Sequence, residues 1–363
     1  MQRKGVIAFG FLIGVAIVAG ILRIKFYFDP PEDNFTNRNL VLLDDSDDST
    51  ELAVETVTAT PQLVTTAQYT LTQQSDLGDG IIRAILETTD QVITVQLQGS
   101  ELVMQPYDLS WQPLADGRRV LQTDVQLIAG LPPQVVLAKT GSGYTLGQTV
   151  AQSDSVYAVV LRTYSTDWVE QSSVTLQDNL PSSGQVVISL TTDGIWMLLN
   201  NQTVQFYGPT GTLSSTQDLT STDTTVCDLI PDQGDIVMVM KSNTGLILQK
   251  QDRYGKKIQT VTLPQIDTAL ECLAVYRSGE QFVIQLVDQL IPYTDNLSEQ
   301  YETIAVRSNQ LFPQVMLQEN SIWLLYSSSS TLGQYTMHAE RYDQPVTDSV
   351  TVTPPDATTE YIN

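Results

Sequence analysis

Downstream of about residue 80 the chain alternates short apolar runs with turn residues, and no stretch keeps a 3.6-residue hydrophobic period over three or more turns. The pattern predicts an all-β domain. Six runs are hydrophobic at nearly every position: 92–97 (VITVQL), 156–161 (VYAVVL), 195–199 (IWMLL), 236–240 (IVMVM), 282–286 (FVIQL) and 322–326 (IWLLY). Each follows a polar turn, in order Thr89-Asp90, Ser153-Asp154, Asp193-Gly194, Gln233-Gly234, Ser278-Gly279 and Glu319-Asn320. Unbroken hydrophobicity marks a strand covered on both faces, whereas a strand with one wet face alternates more cleanly. Trp196 and Trp323 each take the second place in their runs and are expected to be equivalent core residues.

The other turns keep phase with these runs. Gln98-Gly99, Asn200-Asn201, the turn 242–245 and Val287-Asp288 close a second hairpin, and the segments 115–118, 208–211, 252–256 and 295–298 close a third. Three turns per unit join four strands. Apart from the long first gap, Val92 to Val156, the runs recur with a period of about 40–45 residues, that of a four-stranded propeller blade. The stretch 246–263 (LILQKQDRYGKKIQTVTL) resembles the outer hairpin of a quinoprotein-like blade, in which an Asp-x-x-Gly-Lys turn is frequent. It lacks the Trp of those repeats, and the Gly-His and Trp-Asp signatures of WD40 blades are absent. The resemblance is therefore to the β-propeller class and to no single family. It implies about six blades (six to seven), with an insertion around 131–147 or a degenerate seventh blade filling the long gap; a β-sandwich pair is the alternative. A propeller must also join its last blade to its first, and 67–73 (AQYTLTQ) is the segment expected to pair with the C-terminal repeat, whose strands are read near 315–318, 322–326, 334–341 and 346–352.

The N-terminus reads differently. Residues 5–22 carry no charge, and at about 1.5 Å per residue they approach the ~30 Å of a bilayer core. Arg23 and Lys25 follow, then an aromatic belt of Phe26, Tyr27 and Phe28, then Asp29, Pro30 and Pro31, which stop a helix. Arg3, Lys4 and the small residues Val18-Ala19-Gly20 fit a cleaved signal peptide as well, but the run is longer than a usual signal core and basic residues follow it at once. The expected organisation is a cytoplasmic tip and transmembrane anchor over 1–28, an acidic flexible stalk over 29–66, the propeller over 67–353 and a disordered tail over 354–363, with the propeller outside the membrane. Gly10 and Gly14 form a small-xxx-small pair through which two anchors could pack as a weak homodimer.

Charge narrows the partners. Asp and Glu outnumber Lys and Arg by 41 to 18, a net charge of -23 that repels phosphate backbones, so nucleic acid is excluded. The acidic run 42–51 (LLDDSDDSTE) lacks the turn glycine of a calcium loop and reads as a solvated spacer. Cys227 and Cys272 are too few for a disulfide framework; both lie seven residues before a turn glycine, which predicts the same place on neighbouring inner strands, bonded or not. The single histidine, His338, has no ligand-spaced partner in sequence, and the Gly-rich 141–147 has the wrong spacing for a phosphate loop and is read as the tip of the insertion. No Gly-x-Ser-x-Gly elbow occurs, and 191–196 (TTDGIW) departs from the sialidase box. Asn34, Asn201 and Asn296 are glycosylation acceptors by sequence, the last two in turns. No catalytic, cofactor-binding or metal-ligating residue is assigned. The functional expectation is a non-enzymatic protein-binding or scaffold module; the alternative is a carbohydrate-binding or polysaccharide-acting propeller with carboxylates at its central channel.

Overall fold

The computed structural model describes residues 56–58, 62–63, 68–127, 132–182, 186–191, 193–219, 224–232, 235–263, 272–278, 281–294, 299–318, 321–331 and 333–344. The expected anchor with Gly10 and Gly14, most of the stalk, the strand read at 346–352 and the tail lie outside them. Among the described residues no helix is long and apolar enough to cross a membrane. All regular structure among them is strand, arranged as six sheets.

Three short elements precede the repeats: β1 (Thr56–Thr58), β2 (Gln62–Leu63) and β3 (Thr70–Asp79). Blade one then holds Ile81–Glu87, Val92–Gln98, Glu101–Tyr107 and Arg119–Gln122; blade two holds Val135–Thr140, Gly143–Ser153, Val156–Ser165 and Glu170–Pro181. Blade three is Val186–Thr191, Gly194–Leu199, Thr203–Tyr207 and Leu213–Asp218, and blade four is Thr224–Asp232, Asp235–Ser242, Gly245–Gln251 and Lys257–Leu263. Blade five is Cys272–Ser278, Gln281–Leu286, Gln289–Thr294 and Glu299–Gln300, with Ile304–Ala305 also on its third strand. Blade six takes Leu311–Gln318, Ser321–Thr331 and Gln334–Asp343 from the C-terminus and its fourth strand from β3. The first strand of each blade touches the first strands of both neighbours, and the contact between blades six and one closes the ring.

The packing explains the sequence pattern. The apolar side chains do not gather at one centre but fill the gaps between blades: one cluster joins blades one and two, others join two to three, three to four and four to five, and the largest covers both faces of blade six. In the first strand of blade three Val186 and Ile188 face blade two while Val187 faces blade four, so neither face of the strand meets water. Trp196 and Trp323 are buried at equivalent places in the second strands of blades three and six.

Two expectations need correction. The run 156–161 is the third strand of blade two, not its second; the second is Gly143–Ser153. The long first gap therefore holds neither a seventh blade nor an insertion at 131–147. Residues 141–142 are a two-residue hairpin turn and 143–147 belong to the second strand, whose Gly147, Gln148 and Thr149 hide it from a hydropathy reading. The cysteines are also one place out of phase: Cys272 pairs with Leu286 as Val226 pairs with Met240, whereas Cys227 is the extra residue of a bulge. In sequence Gly234 directly precedes the second strand of its blade whereas Gly279 directly follows the first strand of its own, so counting back from the glycine misaligns the strands by one.

Closure follows the sequence expectation. β3 runs antiparallel to Gln334–Asp343 from Asp343↔Thr70 to Thr336↔Asp79, and Gly80 then turns directly into blade one, its N–H donating to the Tyr335 carbonyl. Upstream, two pieces of the expected stalk are themselves strands: β1 adds in parallel to the outer strand of blade four, and β2 adds in parallel to that of blade five. Deleting residues 67–79 is expected to lower the melting temperature of the whole domain by at least about 10 °C, because it opens a sheet edge and uncovers blade six. A thermal melt followed by circular dichroism checks this; an unchanged midpoint rules out closure by β3.

Candidate functional site

The first strands of the six blades define the central channel, so the residues at their two ends form two distinct mouths. At the mouth where these strands finish, the chain places Glu87, Thr140, Thr191, Asp232, Ser278 and Gln318, one per blade, with Arg277 one residue before the end in blade five. The charged members are held internally. Lys250 Nζ lies 3.0 Å from Asp232 and 3.5 Å from Asp235, and Arg277 lies 3.7 Å from Asp232. Burial raises the Asp235 carboxyl above its ordinary value while Lys250 opposes the rise. Glu87 accepts a 2.6 Å hydrogen bond from Gln318 Nε2, and Gln318 Oε1 in turn accepts from the Trp323 indole at 3.0 Å, a relay across the seam between blades six and one. Burial raises the Glu87 pKa, with the Gln318 bond acting against it.

Deeper in the ring, the first strands of blades one and four carry one buried charge each. Asp228 sits beside the bulge at Cys227 and accepts the N–H groups of Leu229 and of Val275 in blade five, at 2.9 and 3.0 Å. The carboxylate thereby ties two blades together. Arg83 occupies the bulge of the first strand of blade one, fully buried, donating Nε to the Pro133 carbonyl at 2.8 Å and lying 5.9 Å from the Phe312 ring. Among the described residues its two terminal nitrogens have no hydrogen-bond partner, and burial alone lowers its pKa to about 9.

On the opposite face, the one where the first strands begin, a cleft of about 220 Å³ opens between the outer strands of blade one and the second strand of blade two. Gln122, Asp124 and Gln126 form one wall, and Gln148, Thr149 and Gln152 from the second strand of blade two form the other. Gln148 Nε2 donates to Gln122 Oε1 at 2.7 Å, while Gln148 Oε1 is buried without a hydrogen-bond partner among the described residues. Amide side chains supply donors and acceptors at neutral charge, which suits polar neutral groups. Sequence reading missed this cleft because its walls come from segments 20 to 30 residues apart whose glutamines look like ordinary surface polarity.

The histidine, which the sequence leads one to expect as an exposed strand residue, is on a strand but is not exposed. His338 is half-buried on the third strand of blade six, tilted against the Tyr326 ring, with Nε2 2.7 Å from Ser328 Oγ and Nδ1 3.7 Å from Asp76 of β3. Three adjacent strands thus line up Ser328, His338 and Asp76. Only the pairing of β3 with the last blade brings the aspartate near, so no local motif announces the group. Its geometry falls short of a nucleophilic triad: Asp76 is beyond hydrogen-bond length and 69% exposed, so it neither fixes the imidazole tautomer nor works in a dry setting. Glu340, on the same strand, is fully buried and accepts from Tyr326, Tyr342 and Gln310, which pins the connection from blade five to blade six. Of the glycosylation acceptors, Asn201 lies with Asn200 in a left-handed hairpin turn between the second and third strands of blade three. Among the described residues no group of His, Cys, Asp and Glu is arranged to hold a metal.

No protein-family model matches the chain, and no curated protein matches it in sequence. Solved structures are similar at low identity. The AfRom2 CNH domain aligns with 71% of this chain and 80% of its own at 9% identity and a TM-score of 0.41. Polysaccharide lyase Uly1 aligns over 75% of this chain and 99% of its own at 7% identity and TM-score 0.41, and a prolyl endopeptidase over 66% and 45% at 11% identity and TM-score 0.40. None of these likenesses bears on activity.

Two outcomes are expected. A group whose folded pKa is raised contributes stability below its unfolded value and loses it as pH rises through the folded one. Glu87→Gln should therefore remove part of the fall in stability above the ordinary carboxylate range and leave the variant more stable than the parent at pH 7, as read from urea midpoints across pH. A phosphonofluoridate, which modifies activated serines, should leave Ser328 unlabelled by intact mass; stoichiometric labelling lost in His338→Ala would establish a nucleophile.

Proposed function

We propose that the protein is a membrane-tethered propeller that binds a polypeptide partner through the face where its first strands begin, without chemistry of its own. The observation that carries this reading is the cleft between blades one and two. Its glutamines offer paired donors and acceptors of the kind an extended backbone presents, and Gln148 Oε1 has no hydrogen-bond partner among the described residues. Blade-to-blade packing makes the platform rigid, so little ordering cost attaches to binding there. The tether is supported by the uncharged run 5–22, followed by Arg23, Lys25 and the aromatic residues 26–28; in this reading the propeller lies on the extracytoplasmic side.

A polysaccharide-acting propeller is supported less well. Among the described first-strand acids, Asp228 is bound by two backbone N–H groups, Asp232 by Lys250 and Arg277, and Glu87 by Gln318, which leaves none poised opposite another across open space. The cleft walls also carry no aromatic ring on which a sugar face could stack.

The test places a photo-crosslinking amino acid at Gln126, in the cleft, or at Lys139, near the opposite mouth, in the full chain within native membranes. A polypeptide adduct is expected at Gln126 and not at Lys139, and Asp124→Ala with Gln152→Ala should reduce it at least about tenfold. Equal adducts at both positions, or saturable glycan binding that the same substitutions abolish, would replace this reading.

A further inference from the structure

The chain has only 18 Lys and Arg residues against 41 acids, yet five of those bases, Lys241, Lys250, Arg253, Lys256 and Lys257, fall within blade four. Lys250 is used by Asp232 and Asp235. Arg253, Lys256 and Lys257 are exposed on the outer hairpin turn, and among the described residues no carboxylate lies within ion-pair distance of them. The neighbouring acid does not serve them: Asp252 Oδ1 accepts the Tyr254 and Lys256 N–H groups, at 2.8 and 2.9 Å, and so holds the turn. Gly255 at φ +84 completes that turn, and Ser215 of blade three donates to the Arg253 carbonyl at 2.9 Å. A rigid, unneutralised cationic tip on so acidic a protein calls for an anionic occupant.

Strand pairing indicates which one. β1 runs parallel to the outer strand of blade four with Thr56 opposite Thr260, Val57 opposite Val261 and Thr58 opposite Thr262. Parallel partners share a direction, so chain preceding Thr56 leads back toward the start of that outer strand, which is Lys257 beside the tip. Four residues separate Glu51 from Thr56, so the two lie at most about 16 Å apart at ~3.3 Å per step, enough to cover the turn and no more than a few residues beyond it. Immediately before them the sequence carries Asp44, Asp45, Asp47, Asp48 and Glu51.

We propose that the acidic segment 44–51 docks on the basic tip formed by Arg253, Lys256 and Lys257, an electrostatic clasp that fixes where the N-terminal segment leaves the propeller. β1 supplies the register and the charges supply the attraction. Several exposed pairs acting together hold a segment that one pair does not, and they do so in a salt-dependent way. The contact is independent of the cleft and of whatever binds there.

The full chain in neutral detergent tests it. A carbodiimide, which joins carboxylates to amines without a spacer, should link Lys256 or Lys257 to one of Asp44, Asp45, Asp47, Asp48 or Glu51 within the same molecule, and the yield should fall several-fold at about 0.5 M salt. Cleavage after Glu51 by a Glu-specific protease should quicken about tenfold in the Arg253→Glu, Lys256→Glu, Lys257→Glu variant, whose exposed changes leave the melting temperature unaltered. Converting Asp44, Asp45, Asp47 and Asp48 to Lys in that variant should restore slow cleavage. Three results overturn the proposal: no link to the acidic segment, equal cleavage rates in all three proteins, or links only between differently isotope-labelled copies. Protection that appears only with phosphatidylserine vesicles would assign the tip to a bilayer and overturn it equally.

Discussion

A strand that is apolar on both faces cannot be satisfied by one neighbour, and the rest of this structure follows from that constraint. Each blade needs a blade on either side, so a row of six has no stable end and must become a ring. The ring then has one seam, between the blade the chain makes first and the one it makes last. Covalent continuity through Gly80, the tilted Trp111–Trp323 contact, the relay from Trp323 through Gln318 to Glu87, and the bond from Ser327 Oγ to the Gly80 carbonyl all fall at that seam. Where the topology is weakest, side-chain interactions are concentrated.

The outer hairpin turns show how one constraint yields two sequence solutions. In blades one to four the turn between third and fourth strands closes with the same backbone bond, and its fourth residue has positive φ: Trp111, Trp168, Gly211 and Gly255. At Gly211 a Cβ would meet Val174 of the preceding blade at 2.8 Å, and at Gly255 it would meet Gln217 at 3.1 Å. Where the neighbour stands back, a tryptophan fills the space instead. Trp111 packs on blade six, and Trp168 stacks on Tyr144 at 4.2 Å beside the cluster shared with blade one. The left-handed conformation, disfavoured for a bulky side chain, persists because burial of the indole offsets it.

Legibility divides along the same physical lines. The repeat, the blade number, the outer hairpin at 246–263 and the pairing of β3 could be read because two-faced burial writes itself as uninterrupted apolar runs. The second strand of blade two could not, since Gly147, Gln148 and Thr149 interrupt it and the more apolar third strand took its place. Phase inferred from turn glycines failed at the cysteines because one glycine directly precedes a strand and the other directly follows one. Groups assembled across strands or blades, such as the glutamine cleft and the Ser328–His338–Asp76 line, left no local signal. Their members are 10 to more than 250 residues apart, and each is unremarkable in its own neighbourhood.

The three leading strands also determine how the molecule meets a pull. Tension entering from the N-terminal side reaches β1 first, then β2, and only then β3, each seated on a different blade. β1 and β2 pair over three and two residues, so they yield early and at low force, taking up slack before load arrives at the long antiparallel ladder of β3. Beyond that ladder lies the ring seam, and peeling β3 exposes it. The order of attachment therefore grades resistance from a soft outer belt to a cooperative lock, a mechanical fuse between whatever draws on the N-terminus and the six-bladed body.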